Sequence, residues 1–476
     1  MSQTFFFYDL ETSGVNPRED RIMQFAGRRT TLDLEPLGDP FDILIKLTDD
    51  VLPEPDAILL TGITPQQTIA EGMTEAEFLK IFMTEVALPE TIFVGYNTIR
   101  FDDEFMRYTL WRNFYDAYEW QWKNDRSRWD LLDVVRMTRA LRPEGIQWPF
   151  ASDGKPTNRL ELITELNDLN HENAHNAMSD VDATINVARL IRSKQPRLFE
   201  YLLKVRDKKS VQSFVADRDP FVYCSGRYSG KYEKTTVAAK LIEHPSKSAA
   251  LVYDLRYDPT EFLGMTTTAL ADRWQWTKDP DAPPRLPIKT LQYNKCPAIA
   301  PLSVLDSGSK QRLGLDTDII NKNLEVLNSD ATFSVRVAEV AKSLENLKQE
   351  SFFSDTREAD TRLYEGFIPD SDKQIMQAIT SGSIDIGDAS FKDDRLVGMA
   401  PLYKARNMPK SLTPEEHELW ELFKAERLVG GGVKSRAAKY FSRIEEIMNS
   451  GKLNADKQYI LEELRLWGQS ILPDSD

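Results

Sequence analysis

The sequence predicts an α/β domain followed by a small β-rich domain and then a helical one, and three observations carry that reading. Strand-like apolar runs at about 4–10, 21–32 and 41–47 come in quick succession, and alternating helix and strand signals follow them, so that residues 1–196 form the first domain. From 197 to 350 the texture changes to short strand-like pieces such as FVYCSGRYSG and AALVYDLRY, broken by Pro- and Asp-rich turns like KDPDAPPRLP. From 355 to 476 the periodicity is helical.

Length and composition agree with this division. A chain of 476 residues is too long for one core, and at about 150 residues per domain it holds roughly two to four. No 18-residue apolar run occurs, and the start MSQTFFFYDLE lacks the basic region of a signal peptide, so a cytoplasmic protein is expected. Two cysteines, no CxxC and four histidines argue against a disulfide framework and against a zinc site; any metal would be held by oxygen. The net charge of −15 speaks against a nucleic-acid partner, but charge is local. Between Arg189 and Lys240 stand thirteen Lys and Arg against five Asp and Glu, a band that fits either a phosphate backbone or a solvated face.

The first three apolar runs suggest an antiparallel meander. A helix is expected near 75–86, opened by Thr74 with Glu77 three residues on, a capping box. TIFVGYN at 91–97 reads as a buried strand and FDDEFMRYTLWRNFY at 101–115 as the helix after it. Further helices fit 130–141, 159–168 with Asn158 as cap and Glu161 at the third position, and 177–193. Three antiparallel strands followed by alternating helix and strand are the order of a ribonuclease H-like α/β domain. In the last domain LTPEEHELWELFKAERLVGGG has Thr413 as cap, Pro414 at the first helical position, Glu416 completing a capping box and glycines as the stop. The linker near 350–360, ESFFSDTREAD, is polar and expected to be exposed.

The run FFFYDLETSG at 5–14 raises the question of chemistry. Side chains alternate along a strand, so Phe5, Phe7, Asp9 and Glu11 share one side while Phe6, Tyr8 and Leu10 take the other. Two like charges at a strand end repel unless a cation such as Mg²⁺ lies between them; the plain alternative is a solvated end whose acids face water or pair with Arg. Asp102 or Asp103 would stand in the first turn of the helix after the second buried strand, where the helix dipole also favours an acid. His175 leads into an amphipathic helix that carries Asp180, and histidine is suited to take a proton from water near neutral pH. Four carboxylates gathered in one place would repel severely unless two divalent cations, about 4 Å apart, sat among them, and such a pair serves in-line attack on a phosphodiester.

The order Asp-x-Glu, Asp, His-x4-Asp resembles that of the DEDDh exonucleases. The stretches YDLETSGVNP, LLTGITPQ, GYNTIRFDDEF, NDRSRWDLLDV, ALRPEGIQWP, NAHNAMSDV, QPRLFEYLL and NKCPAI resemble more closely the bacterial exodeoxyribonuclease I family, and they run through the chain. That resemblance implies a ribonuclease H-like exonuclease domain, an SH3-like middle domain and a helical C-terminal domain around single-stranded DNA. It implies 3′→5′ degradation of that DNA to 5′-mononucleotides, processive action, a role in repair and recombination, and a monomer. It implies two Mg²⁺ ions, replaceable by Mn²⁺, on Asp9, Glu11, Asp102 and Asp180, with His175 as base and Asp103 a neighbour rather than a ligand.

By the same resemblance Arg159 lies near the DNA, and Thr61, Gly62 and Ile63 belong to a loop that packs on the terminal 3′ nucleotide. The family also binds the acidic C-terminal tail of single-stranded DNA-binding protein, and Arg142 and Tyr201 fall at pocket positions. Pro301 and Asp306 stand where that pocket has a Gln and an Arg, and an acid there would repel an acidic tail. Ser13 and Asn176 replace a Phe and an Asp near the active site, leaving the four carboxylates intact.

Other signals point to structure. In WRNFYDAYEWQW, Trp111, Phe114 or Tyr115, Tyr118 and Trp122 fall at helical spacing and are expected in the core rather than stacked on bases. LVGGGVKSRA fails the spacing of a phosphate loop and reads as a helix stop. Asp130 and Asp133 read as a cap and an exposed charge. Two rival functions are a DEDDh exoribonuclease, which the carboxylates alone do not separate from a DNA enzyme, and a non-catalytic binding module that has kept the fold.

Overall fold

The computed structural model describes residues 3–169, 176–217, 220–279, 281–352, 358–451 and 453–473. The chain opens with β1 (Thr4–Thr12), β2 (Ile22–Thr30) and β3 (Phe41–Leu44), then three short helices, α1 (Pro55–Thr61), α2 (Pro65–Glu71) and α3 (Glu75–Ile81). The Thr74–Glu77 capping box opens α3, and Phe82–Val86 continues it as a π-helical turn. Next come β4 (Thr91–Gly95), α4 (Asp102–Arg112), β5 (Ser127–Asp130), α5 (Leu131–Leu141), α6 (Leu160–Leu166) and α7 (Ala177–Lys194). α8 (Pro196–Lys204) and α9 (Lys208–Asp217) lead into β6 (Phe221–Cys224), β7 (Thr235–Glu243) and β8 (Ala249–Asp254). After α10 (Thr260–Leu263) and α11 (Thr267–Trp274) come β9 (Ile288–Gln292), β10 (Ala298–Pro301), α12 (Ser307–Leu313), α13 (Thr317–Asn328) and α14 (Ala331–Phe352). The last helices are α15 (Asp370–Thr380), α16 (Asp394–Asn407), α17 (Pro414–Val429), α18 (Arg436–Met448) and α19 (Ala455–Ile471). No described helix is long and apolar enough to cross a membrane.

The chain divides into two compact units, one of residues 1–127, 172–182 and 355–476, the other of 128–171 and 183–354. The first unit is built on a sheet in which β3, β2, β1 and β4 lie side by side in that order. β1 pairs antiparallel with β2 and parallel with β4, the mixed order expected of a ribonuclease H-like domain. The alternation read in β1 holds: Phe6, Tyr8 and Leu10 enter a core with Phe25, Phe78, Phe82, Phe93 and Trp120.

The terminal helices pack on this sheet region through a second core, in which Met23, Leu47, Ile58 and Ile63 meet Leu428, Tyr440, Leu464 and Trp467. Beside it lies a network of ion pairs. Asp50 faces Arg406 at 2.8 Å, Arg427 at 3.6 Å and Arg21 at 3.9 Å. Asp360 joins Arg406 at 2.9 Å and Arg21 at 3.4 Å, while Glu358 bridges Arg427 and Arg436, and Arg436 reaches Glu19 at 3.5 Å. Four guanidinium groups are thereby matched by four carboxylates, which is how buried charge becomes tolerable. Asp360 is buried, so the end of the stretch expected to be an exposed linker is a structural anchor; 353–357 lie outside the described residues.

The second unit holds an antiparallel sheet of order β10-β6-β7-β8-β9, around a core of Val211, Phe221, Tyr223, Val252, Leu291 and Ile299. Several local readings need correction. Asp130 caps α5 as expected, but Asp133 is buried against Arg136 at 2.7 Å, because a tertiary fold can bury a charge that brings its own partner. The cap position of α6 is held by Arg159, which makes no side-chain capping bond, and Asn158 instead accepts from Arg139 at 3.5 Å. Since α4 stops at Arg112, the helical spacing of the aromatic run breaks: Trp111 and Phe114 are buried, whereas Trp122 is 62% exposed. Thr413 and Glu416 form the capping box of α17, and Gly430 ends it.

Candidate active site

The site grows from the carboxyl ends of two parallel strands. The ladder between β1 and β4 ends at Phe7 opposite Val94, so Asp9 and Glu11 project beyond it while β2 still pairs with them through Ala26 and Gln24. The chain leaves β4 at Gly95, where a Cβ would meet Thr98 Cγ2 at 2.0 Å and the Tyr8 carbonyl oxygen at 2.9 Å. Only glycine allows that close approach. Asn97 then turns in the left-handed region (φ 72°), and α4 begins at Asp102. Ligands of open α/β sheets gather at such strand ends.

Asp180 comes from the first turn of α7, where Asn176 receives the Ser179 backbone N–H at 3.2 Å. An ion pair from Arg28 on β2 to Asp182, at 3.0 Å, ties this turn to the sheet. Asp9, Glu11 and Asp180 each present one oxygen such that all three lie within 4.8 Å of one another. Asp102 is buried and close enough to Asp9 to disfavour its charge. Burial, then Asp102 and Asp180, hold the Asp9 carboxyl well above the usual carboxylate range. Burial, then Asp9 and Asp180, push Glu11 up to about 9.

Acids so crowded take up protons or a cation. Oxygen donors without sulfur or nitrogen suit a hard divalent ion, and the residues present fit one. Asp103 is turned away from this use: it is buried and accepts the Tyr8 hydroxyl at 2.5 Å. The sequence shows Tyr8 only as core-facing, and its bond to Asp103 has no local signal.

The remaining candidates fall as follows. His175 lies outside the described residues. Thr61 ends α1, Gly62 caps it at φ 74°, and Ile63 turns its side chain into the core. In the second unit Arg159 is largely exposed and donates to the Glu161 carboxylate. Arg142 donates to the Val304 carbonyl at 2.9 Å and pairs with Asp306 at 3.4 Å; Tyr201 is half-buried. Ser13 is fully buried, its Oγ accepting the Arg21 backbone N–H at 2.9 Å, so it shapes the β1–β2 turn.

The chain is of the exonuclease class: the family model described as Exonuclease matches residues 6–188, the part that carries this strand-end cluster of carboxylates. The models Exonuclease I SH3-like domain and Exonuclease I C-terminal domain match 206–343 and 357–471. The chain is 37% identical to exodeoxyribonuclease I of Haemophilus influenzae, covering 98% of this chain and 99% of that one. To exodeoxyribonuclease I of Escherichia coli it is 38% identical, covering 88% of each. The chain therefore belongs to the exodeoxyribonuclease I family.

Solved structures agree. Exonuclease I of Methylocaldum szegediense superposes with a TM-score of 0.91 at 38% identity, over 99% of this chain and 100% of that one. E. coli exonuclease I in complex with a dA16 oligonucleotide gives 0.91 at 34%, over the same shares. Further similar structures are a zinc-bound E. coli complex with single-stranded DNA and an SSB/exonuclease I structure with an inhibitor.

Proposed function

We propose that the protein is a Mg²⁺-dependent exonuclease that removes nucleotides from the 3′ end of single-stranded DNA and releases 5′-mononucleotides, acting as a cytoplasmic monomer in repair and recombination. The observation that carries the reading is the convergence of Asp9, Glu11 and Asp180 oxygens within 4.8 Å, with Asp102 beside them. These four carboxylates would hold two divalent cations, in which Mn²⁺ can replace Mg²⁺. When bound, such ions polarise the phosphodiester and favour ionisation of water.

The chain's own residues supply the rest. His175 would take the proton from the attacking water. The water oxygen bonds to phosphorus as the bond to the 3′ oxygen of the preceding nucleotide breaks, leaving a 5′-phosphate on the departing nucleotide. Thr61, Gly62 and Ile63 would support the terminal nucleotide, through the loop backbone and the Thr61 side chain since Ile63 points inward, and Arg159 would meet the strand. In the second unit Arg285 and Arg227 stand near Lys289, a group of cations suited to backbone phosphates. The acidic tail of single-stranded DNA-binding protein would engage Arg142 and Tyr201 only by displacing Asp306.

The test uses DNA and RNA oligomers of one sequence, each labelled at the 3′ or the 5′ end, with Mg²⁺ and with EDTA. Immediate release of the 3′ label as a mononucleotide from DNA alone, abolished by EDTA, is expected. Early loss of the 5′ label, or equal turnover of RNA, would overturn the proposed direction or substrate.

A further inference from the structure

We infer that Tyr8 and Asp103 form a positioning pair that sets the distance between the two elements carrying Asp9 and Asp102; the inference rests on the metal-site reading above. Asp9 and Asp102 are 93 positions apart in the sequence, on two separate elements, β1 and α4. The β1–β4 ladder ends before Asp9, at Phe7. The amino end of α4 has no side-chain cap: Phe101 occupies that position and makes no capping bond.

The Tyr8–Asp103 hydrogen bond ties these two elements directly to each other. Tyr8 immediately precedes Asp9 on β1 and points to the opposite face, and Asp103 immediately follows Asp102 on α4. The Tyr8 ring is held on three sides, stacked at 6.2 Å on Phe25 and edge-on to Phe93 and Trp120 at 6.3 and 6.4 Å. Its hydroxyl is therefore a fixed donor. Asp103, 1% exposed, receives it at 2.5 Å. Successive helical residues are about 100° apart around the axis, so anchoring Asp103 fixes the rotation of α4 and with it the aim of Asp102. A bond behind the ligands thus sets the geometry in front, as outer partners of metal ligands do elsewhere.

The experiment compares Tyr8→Phe, Asp103→Asn, Asp103→Ala and the Tyr8→Phe/Asp103→Ala double variant, with Asp9→Asn as control. Each is measured for Mn²⁺ affinity by calorimetry, for kcat and KM on single-stranded DNA, and for thermal unfolding. Tyr8→Phe is expected to weaken Mn²⁺ binding and lower kcat by about tenfold while leaving KM unchanged. Asp103→Asn keeps a carbonyl oxygen for the tyrosine and should stay near wild type. Asp103→Ala should match Tyr8→Phe, and the double variant should be no worse than either. A Tyr8→Phe protein with wild-type Mn²⁺ affinity and kcat, or additive losses in the double variant, would overturn the inference. Wild-type cleavage by Asp9→Asn would instead overturn the metal-site reading beneath it.

Discussion

Replacing Asp50 by Asn should loosen the terminal helices from the nuclease sheet, and the size of the effect follows from the network of charges. Asp50 is fully buried; Arg406 donates to it through Nε at 3.2 Å and Nη2 at 2.8 Å, and Arg427 and Arg21 stand at 3.6 and 3.9 Å. Asparagine keeps the shape and an acceptor but removes the charge, leaving four guanidinium groups matched by three carboxylates. Removing one partner of a buried pair costs about 3–5 kcal/mol. Burial alone would raise the Asp50 carboxyl, but Arg406, Arg427 and Arg21 outweigh it and hold it well below the usual range. A carboxyl depressed in the folded state stabilises fully above its unfolded value of about 4, and that contribution fades as the pH falls below it. Urea unfolding of wild type and Asp50→Asn, followed by tryptophan fluorescence, should show a constant difference from about pH 8 to 5 that shrinks in more acidic buffer. A variant within about 1 kcal/mol of wild type at neutral pH, or a difference unchanged at about pH 3, would refute the reasoning.

Three further outcomes are expected. The Asp9 and Glu11 carboxyls are raised, so their contribution favours folding below about pH 4 and is lost as the pH climbs through the folded values, about 9 for Glu11. Mg²⁺ should therefore raise the melting temperature more at about pH 8.5 than at about 5.5, and an equal shift would count against the cluster. Gly95→Ala should destabilise by about 1–3 kcal/mol, because the added Cβ meets the Tyr8 carbonyl oxygen at 2.9 Å as well as the movable Thr98 side chain; an unchanged melting temperature would contradict this. Asp306→Gln should tighten binding of an acidic tail peptide, measured by fluorescence anisotropy, since it frees Arg142 of its acidic neighbour. No gain would mean that this pocket is not the tail site.

Local rules made part of this architecture readable. The alternation along β1 put Asp9 and Glu11 on one side because a strand has period two, and the capping boxes at Thr74 and Thr413 were visible because each is closed within four residues. The helices α1 and α2 escaped the reading, although Pro55 and Pro65 at their first positions and Gly62 and Gly72 after them are the ordinary start and stop signals. Asp133 and Asp360 look like surface acids until the fold brings a guanidinium to each. The Asp50–Arg406 pair spans 356 positions, so no window along the chain could have shown it. At the site, the four acids were legible from residue type and order. The Tyr8–Asp103 bond was not, since it depends on how α4 returns to the strand.

The most direct measurement is single-turnover cleavage of single-stranded DNA by Asp9→Ala beside wild type, with DNA binding measured on the same preparations. If the carboxylates hold the catalytic cations, cleavage should fall by about 10²–10³-fold or more while DNA binding stays within a few fold. Cleavage within tenfold of wild type would contradict the assignment and place the chemistry elsewhere on the chain.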